Sequence, residues 1–291
     1  MNQYVASEYL ENTHRLALGV QPQDYLLERG LMRHVRVDIE RGLPHTMQRE
    51  RAHYCRPQRR NLPPDALCRH NAGKFTLLFY NGIPAEIDLR IYDHSRHYVP
   101  RRLRVPLRTL AQVQETEAEE ALDYMFGRVR RPVLFPGAAY DIGETVTGLR
   151  GRVLRDDEPM RWCAIEARLP VSRALVGRAR GDDRGEFLLV ITPSAAPEGD
   201  LDASGRLEVE VSIAGPSTPP LASTADLADL DDLWDLPLEI VPPPGDTDDV
   251  STGIALPPDY VIAPTAVRNV EFELGRMLTG RDIANFEFAL P

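Results

Sequence analysis

The chain has 291 residues, 43% of them hydrophobic and 27% charged, enough for two domains that need no disulfide staples. No apolar run approaches about 18 residues, and the N-terminus carries Glu8 and Glu11 with no basic start, so neither a transmembrane helix nor a secretory signal is expected. Residues 1–150 hold 22 Lys/Arg against 18 Asp/Glu, which leaves 12 against 26 of the totals of 34 and 44 for residues 151–291, or +4 against −14.

Residues 1–29 form an N-terminal segment whose spacing of Tyr9, Leu10, Leu16 and Leu18 predicts a short amphipathic helix over 3–18. From residue 33 the period changes to two. Val35, Val37 and Ile39 alternate with charged residues, and the rhythm returns at Phe75, Leu77 and Phe79, at Ile87, Leu89 and Ile91, and at Leu103, Val105 and Leu107. Turn residues separate these runs (Asn81-Gly82, then Asp93-His94-Ser95), which predicts a β-sandwich over 30–108. Residues 109–126 read as a helix capped by Thr109, within a connecting segment 109–131.

A second sandwich is expected over 132–215. Leu149, Gly151 and Val153 share one face, as do Cys163, Ile165, Ala167 and Leu169, then Phe187, Leu189 and Ile191, and then Leu207, Val209, Val211 and Ile213. The stretch 216–291 begins with a Pro-rich linker and continues as an acidic segment broken by Leu and Trp. It is read as an extended arm that docks on a basic sandwich surface in its own chain or a neighbour's, leaving both sandwiches able to stand without it. The fold class is therefore all-β with minor α: two tandem β-sandwich domains, an interdomain helix and an extended C-terminal arm.

Over about 145–214 the order Gly151-x-Val153, Pro159, then Gly181-Asp182-Asp183-Arg184-Gly185-Glu186-Phe187 resembles the carboxypeptidase regulatory-like domain family. That resemblance implies a transthyretin-like sandwich that stabilises or adheres, with no catalytic residues of its own. The segments YDHSRHYVPRRLRVPL, VGRARGDDRGEFLL and DDLWDLPLEIVPPPG are similar in style to accessory proteins of phage-tail-like contractile injection systems.

No phosphate-binding loop, nucleophile elbow, zinc-protease or dinucleotide fingerprint occurs in the sequence. One set has ligand chemistry: His53-x-Cys55 and Cys68-x-His70 would each share a strand face and together could offer zinc a His₂Cys₂ set. The intervening RPQRRNLPPDAL is an awkward loop and the usual two-residue ligand gaps are missing, so no metal and no cofactor are expected. Asp182-Asp183 with Glu186 reads as a hairpin turn rather than a calcium loop. Arg96, Arg101, Arg102, Arg104 and Arg108, with Arg128, Arg130 and Arg131, form a basic run beside Tyr92 and Tyr98. The acidic total argues against nucleic acid, so this run is matched instead to an acidic protein surface, with the chain's own C-terminal half as one candidate. Leu233, Trp234 and Leu236 among aspartates make an acidic docking element with an aromatic anchor. Three cysteines (Cys55, Cys68, Cys163) are no disulfide framework, so the expected location is cytoplasmic, or within a particle released from the cell.

The expectation is a non-enzymatic structural protein contacting other subunits of an assembly, copies of itself among them, without nucleic-acid binding or membrane insertion. The alternatives are a metal-dependent enzyme using the His/Cys set, and a carbohydrate- or surface-binding module, which an exposed Trp162 or Trp234 in a groove would favour.

Overall fold

Strand alternation governs the chain from Leu16 onward. The computed structural model describes residues 15–31, 33–41, 48–50, 53–54, 68–69, 73–79, 83–118, 128–143, 145–192, 205–220, 233–243 and 247–290, and within them the fold is all-β with one short helix. None of the described helical residues is long and apolar enough as a segment to cross a membrane.

Five strands build a first core: β1 (Leu16–Val20), β2 (Arg36–Arg41), β3 (Phe75–Leu78), β4 (Glu86–Tyr92) and β5 (Arg101–Pro106). β1 pairs with β3 in one sheet, and β4 lies between β2 and β5 in the other, all antiparallel. The inward sets expected from the period of two, such as Val37 and Ile39, Leu89 and Ile91, and Leu103 and Val105, are buried in one cluster between these sheets. The Asn81-Gly82 turn lies outside the described residues.

The N-terminal helix is corrected where it can be compared. Leu16 and Leu18 lie in β1, and residues 1–14 are outside the described ones. β1 is bonded on both sides, antiparallel to β3 and parallel to Val129–Arg130, and is buried from Ala17 to Val20. A strand enclosed in this way takes apolar residues in succession, which is what Leu16–Val20 provides.

Thr109 does cap a helix, α1 (Leu110–Ala118): its Oγ1 accepts the Gln112 N–H while Gln112 Oε1 accepts the Thr109 N–H. This reciprocal pair satisfies two amides that the first turn would otherwise leave bare. Beyond it, Val129–Arg130 and Val133–Leu134 join β1 and Gln23–Asp24, so Leu134 belongs to the first core rather than opening the second.

The second core is built from β6 (Gly148–Arg155), β7 (Ala164–Arg168), β8 (Leu175–Arg180), β9 (Glu186–Val190) and β10 (Arg206–Pro216). β6 pairs with β9, while β7 lies between β8 and β10. A two-residue hairpin returns β6 to Glu158–Pro159, with Asp156 and Asp157 both at positive φ, the turn geometry that matches strand twist. Leu149, Ile165, Phe187, Leu189 and the series Leu207 to Ile213 are buried in this core as their spacing predicts. Leu188, on the opposite face of β9, is buried in the first core, so the two cores share the β6–β9 sheet as a wall.

The C-terminal segment runs extended but belongs to both bodies. β11 (Leu238–Ile240) pairs parallel to β5, and β12 (Tyr260–Glu273) pairs antiparallel to β10 along almost its whole length. Ala263, Ala266, Val270, Phe272, Phe286 and Phe288 are buried in the second core. The expectation that both sandwiches stand without this segment is therefore corrected. Its apolar residues are strand-spaced and contribute to both inner faces of the second sandwich.

Two outcomes follow for stability. Phe187 is 2% exposed and lies over Gly151, where an added Cβ would come within 2.5 Å of its ring. Phe187→Ala should cost about 3–5 kcal/mol in denaturant melts, and a loss below about 1 kcal/mol would show the face assignment to be wrong. Truncation after Pro257 should abolish the cooperative unfolding of the second core, seen as loss of the near-ultraviolet circular dichroism of its phenylalanines.

Candidate functional site

The polar groups expected to meet a partner converge instead on the seam between the two bodies. Arg101 points out of β5 at the edge where β11 adds, and its side chain is 3% exposed. Its Nε and Nη2 donate to the two carboxylate oxygens of Glu239, each at 2.8 Å. Nη1 donates to the carbonyls of Val133 and Ser251, and Nη2 also to that of Val250. All five N–H groups of the fork thus meet an acceptor, the condition under which a buried guanidinium is tolerated.

Most of the rest of the basic run is engaged within the chain as well. Arg96, held at positive φ by the Asp93 turn, donates bidentately to Asp183 of the second body at 2.7 and 3.0 Å. Arg104 does the same to Asp88 on the neighbouring β4. Arg128 donates to the Leu16 carbonyl, and Arg130 to Asp248 and the Pro242 carbonyl. Arg102 also has contacts within the chain.

The docking element closes on the same seam. Asp235, whose side chain is fully buried, accepts both Arg161 nitrogens and the indole N–H of Trp162 at 2.6–2.7 Å. Leu236 and Leu233 pack with Trp162 and Val99, while Trp234 is half-buried. Trp162 is 5% exposed and its N–H is engaged, so it is no free platform for a sugar ring. Beside it a cleft of about 160 Å³ is lined by Tyr92, His94, Arg96, Trp162, Asp183 and Leu233 among others. Ligand pockets run to roughly 300–1,000 Å³. This one has room for a side chain.

Asp182 organises the tight turn expected of it: Oδ1 accepts the Arg184 and Glu186 amides. It is buried rather than solvated, because the turn folds against the seam. His53 stands opposite Cys68 in adjacent parallel two-residue strands, whereas Cys55 and His70 lie outside the described residues. Among the described residues no group of three or more His, Cys, Asp or Glu side chains is arranged to hold a metal.

A second polar cluster lies inside the first body. Asp24, 1% exposed, accepts the hydroxyls of Tyr98 and Tyr140 at 2.7 and 2.8 Å and the amides of Leu26 and Leu27. Burial, then the bond to Asp24, raises the Tyr140 hydroxyl well above the usual phenolic range. In the second body burial pushes the Cys163 thiol up to about 12. Glu166 is lowered: burial alone would raise it, but hydrogen bonds from Arg178 and Arg168 outweigh that.

Sequence reasoning singled out Arg101 and Leu236 but missed Glu239, Asp235 and Asp24. Glu239 had a readable signal, a lone carboxylate inside the apolar run Leu238–Val241. A charge in a strand that short of polar neighbours implies a buried counter-charge. Compared with known proteins, the chain matches no family model, no curated sequence and no solved structure.

Arg101→Ala should cost about 3–5 kcal/mol, since it strands a buried carboxylate. Paired with Glu239→Leu the loss should be smaller than for Arg101→Ala alone, which a double-mutant cycle in urea will measure. Cys163 should resist alkylation at pH 8 in the native protein and react on unfolding, as followed by peptide mapping. Rapid native labelling at Cys163 would contradict its burial.

Proposed function

We propose that this chain is a non-enzymatic structural protein that makes protein–protein contacts within a larger assembly. A phage-tail-like contractile injection particle is the assembly its sequence style favours, and the resemblance of 145–214 to carboxypeptidase regulatory-like domains agrees with a stabilising role. The observation that carries the reading is where apolar surface remains uncovered. Ten large hydrophobic side chains are exposed among the described residues, and all but Leu110 and Val171 lie between Ile240 and Leu290. Ile262 is 52% exposed, Ile240 55%, Ile254 46% and Leu274 42%, on elements ordered by both cores. Apolar side chains left exposed on ordered elements support a contact region there.

A zinc-holding role is a second reading, supported by the register of His53 opposite Cys68. Protein purified without added metal is expected to carry no stoichiometric zinc. Near one zinc per chain by elemental analysis, abolished by Cys55→Ser, would favour this reading instead.

The assembly reading is tested by the size of the particle that contains the chain in cells that express it. The chain should elute in a complex far larger than its 32.7 kDa. Ile262→Asp with Leu274→Asp should release it while circular dichroism stays unchanged. A native chain that elutes as a monomer at every concentration and salt condition would overturn the reading.

A further inference from the structure

β12 is the last strand of its sheet, in the order β8, β7, β10, β12. Among the described residues no strand pairs with its other edge, although the C-terminal run meets β12 at Thr265, whose hydroxyl bonds the Ala289 backbone, and at Arg268, which donates to the Ala284 and Asn285 carbonyls. The register with β10 shows which backbone groups that edge presents. Arg206 lies opposite Glu273 and Leu207 opposite Phe272, and the Leu274 amide donates to the Gly205 carbonyl at 3.1 Å. In an antiparallel pair bonded and non-bonded residues alternate, so Leu274, Phe272, Val270 and Arg268 spend their backbone groups on β10. Val267, Asn269, Glu271 and Glu273 therefore turn their N–H and C=O groups outward, at the i, i+2 spacing that a further strand requires.

Edges of this length are ordinarily blunted by a proline, a bulge or lysines. Here the blunting is confined to one end. Residues 263–266 bulge opposite Ile213 and include Pro264, while Val267–Glu273 keeps regular register. The side chains of the outward residues share the solvent face of the sheet with those of β10. On that face Glu208 lies directly across from Glu271, with Glu210 and Glu273 beside them. Among the described residues Glu208 accepts only the Asn269 amide, Glu210 is paired with Arg173 at 2.7 Å, and the ions on Glu271 and Glu273 are exposed: Arg206 to Glu271 at 52% and 61%, Arg276 to Glu273 at 53% and 54%. Pairs this exposed hold little energy and are readily exchanged.

This charge pattern selects the occupant. Antiparallel pairing with a second copy over Val267–Glu273 would set Glu271 against Asn269 and Glu273 against Val267, which gives neither carboxylate a cation. A strand with arginine or lysine at alternate positions would meet these carboxylates directly.

We propose that the outer edge of β12 from Val267 to Glu273 docks an extended, basic segment of a partner protein, which adds to the sheet as a further strand. The proposal rests on the assembly reading and names the contact through which the chain would join. Strand addition draws affinity from main-chain bonds and specificity from alternate side chains, and both are present here.

The test uses the full chain and a nine-residue peptide of alternating arginine and valine, with the glutamate–valine peptide and a form N-methylated at alternate residues as controls. Amide exchange of Val267, Asn269, Glu271 and Glu273 should be fast in the free protein and slow at least tenfold with the arginine peptide. Arg268, Val270 and Phe272 should be protected throughout. Neither control peptide should slow exchange. Asn269→Pro removes an outward N–H without touching the ladder to β10 and should weaken binding at least tenfold. Glu271→Lys with Glu273→Lys should reverse the preference toward the glutamate peptide, and keeps the test decisive if the proline variant misfolds. Binding that leaves the four amides unprotected, or that survives both variants, overturns the proposal. The size of the cellular complex is read separately, so loss of the edge site leaves the assembly reading standing, and a monomeric chain that still binds the peptide does the reverse.

Discussion

The pairing of Arg101 with Glu239 is the buried contact that fixes β11 to β5, and with it the path of the C-terminal segment out of the first body. It joins β5, deep in the first core, to β11, and through the Val133, Val250 and Ser251 carbonyls it gathers two further segments. A lysine could not do this. Its ammonium offers three donors from a single point, whereas the guanidinium presents five in a plane that fits a carboxylate and leaves three for carbonyls. With the pair satisfied, β11 is held in register and the chain from Val241 onward leaves the first body beside the second. That path delivers β12 to the free edge of β10.

The charge asymmetry of the sequence is resolved along this seam. Arg96 to Asp183, Arg130 to Asp248 and Arg101 to Glu239 each join the basic half to the acidic half. They are unequal. Arg96 is 45% exposed and its pair is worth little, whereas the Arg101 pair is closed to water and would leave an uncompensated charge if broken. Several cations of the basic half, Arg101, Arg128 and Arg130 among them, are spent inward, and acidic residues of the second half remain on the outer face of the β10–β12 pair.

Much of the fold was legible as a period of two. The inward sets from Val35 to Ile213 could be read residue by residue, since one buried face demands alternation and turn residues mark its ends. What escaped had weak or ambiguous period. Leu16–Val20 is too short to distinguish a buried strand from a helical turn, and only its neighbours on both sides decide it. The arm was read as a surface element because prolines and aspartates dominate its first half, whereas its strand-spaced second half carries Phe272, Phe286 and Phe288 into the core. The latch was half legible: Arg101 stood out as basic, but nothing local to it says that its partner lies far along the chain.

The placement of β12 ties stability to contact. Its inward residues complete the second core, so the strand cannot peel away without exposing Val270 and Phe272. The same register that buries them turns the backbone of Val267, Asn269, Glu271 and Glu273 outward. An interface built on a strand held this firmly pays little ordering entropy, unlike a free arm that must fold on binding. An added strand would in turn cover the edge of the second sandwich and stabilise it by mass action, because only the folded sheet presents that row of groups. The C-terminal segment is therefore both the last structural piece of the fold and its most exposed apolar stretch. Both properties follow from the register that pairs β12 with β10.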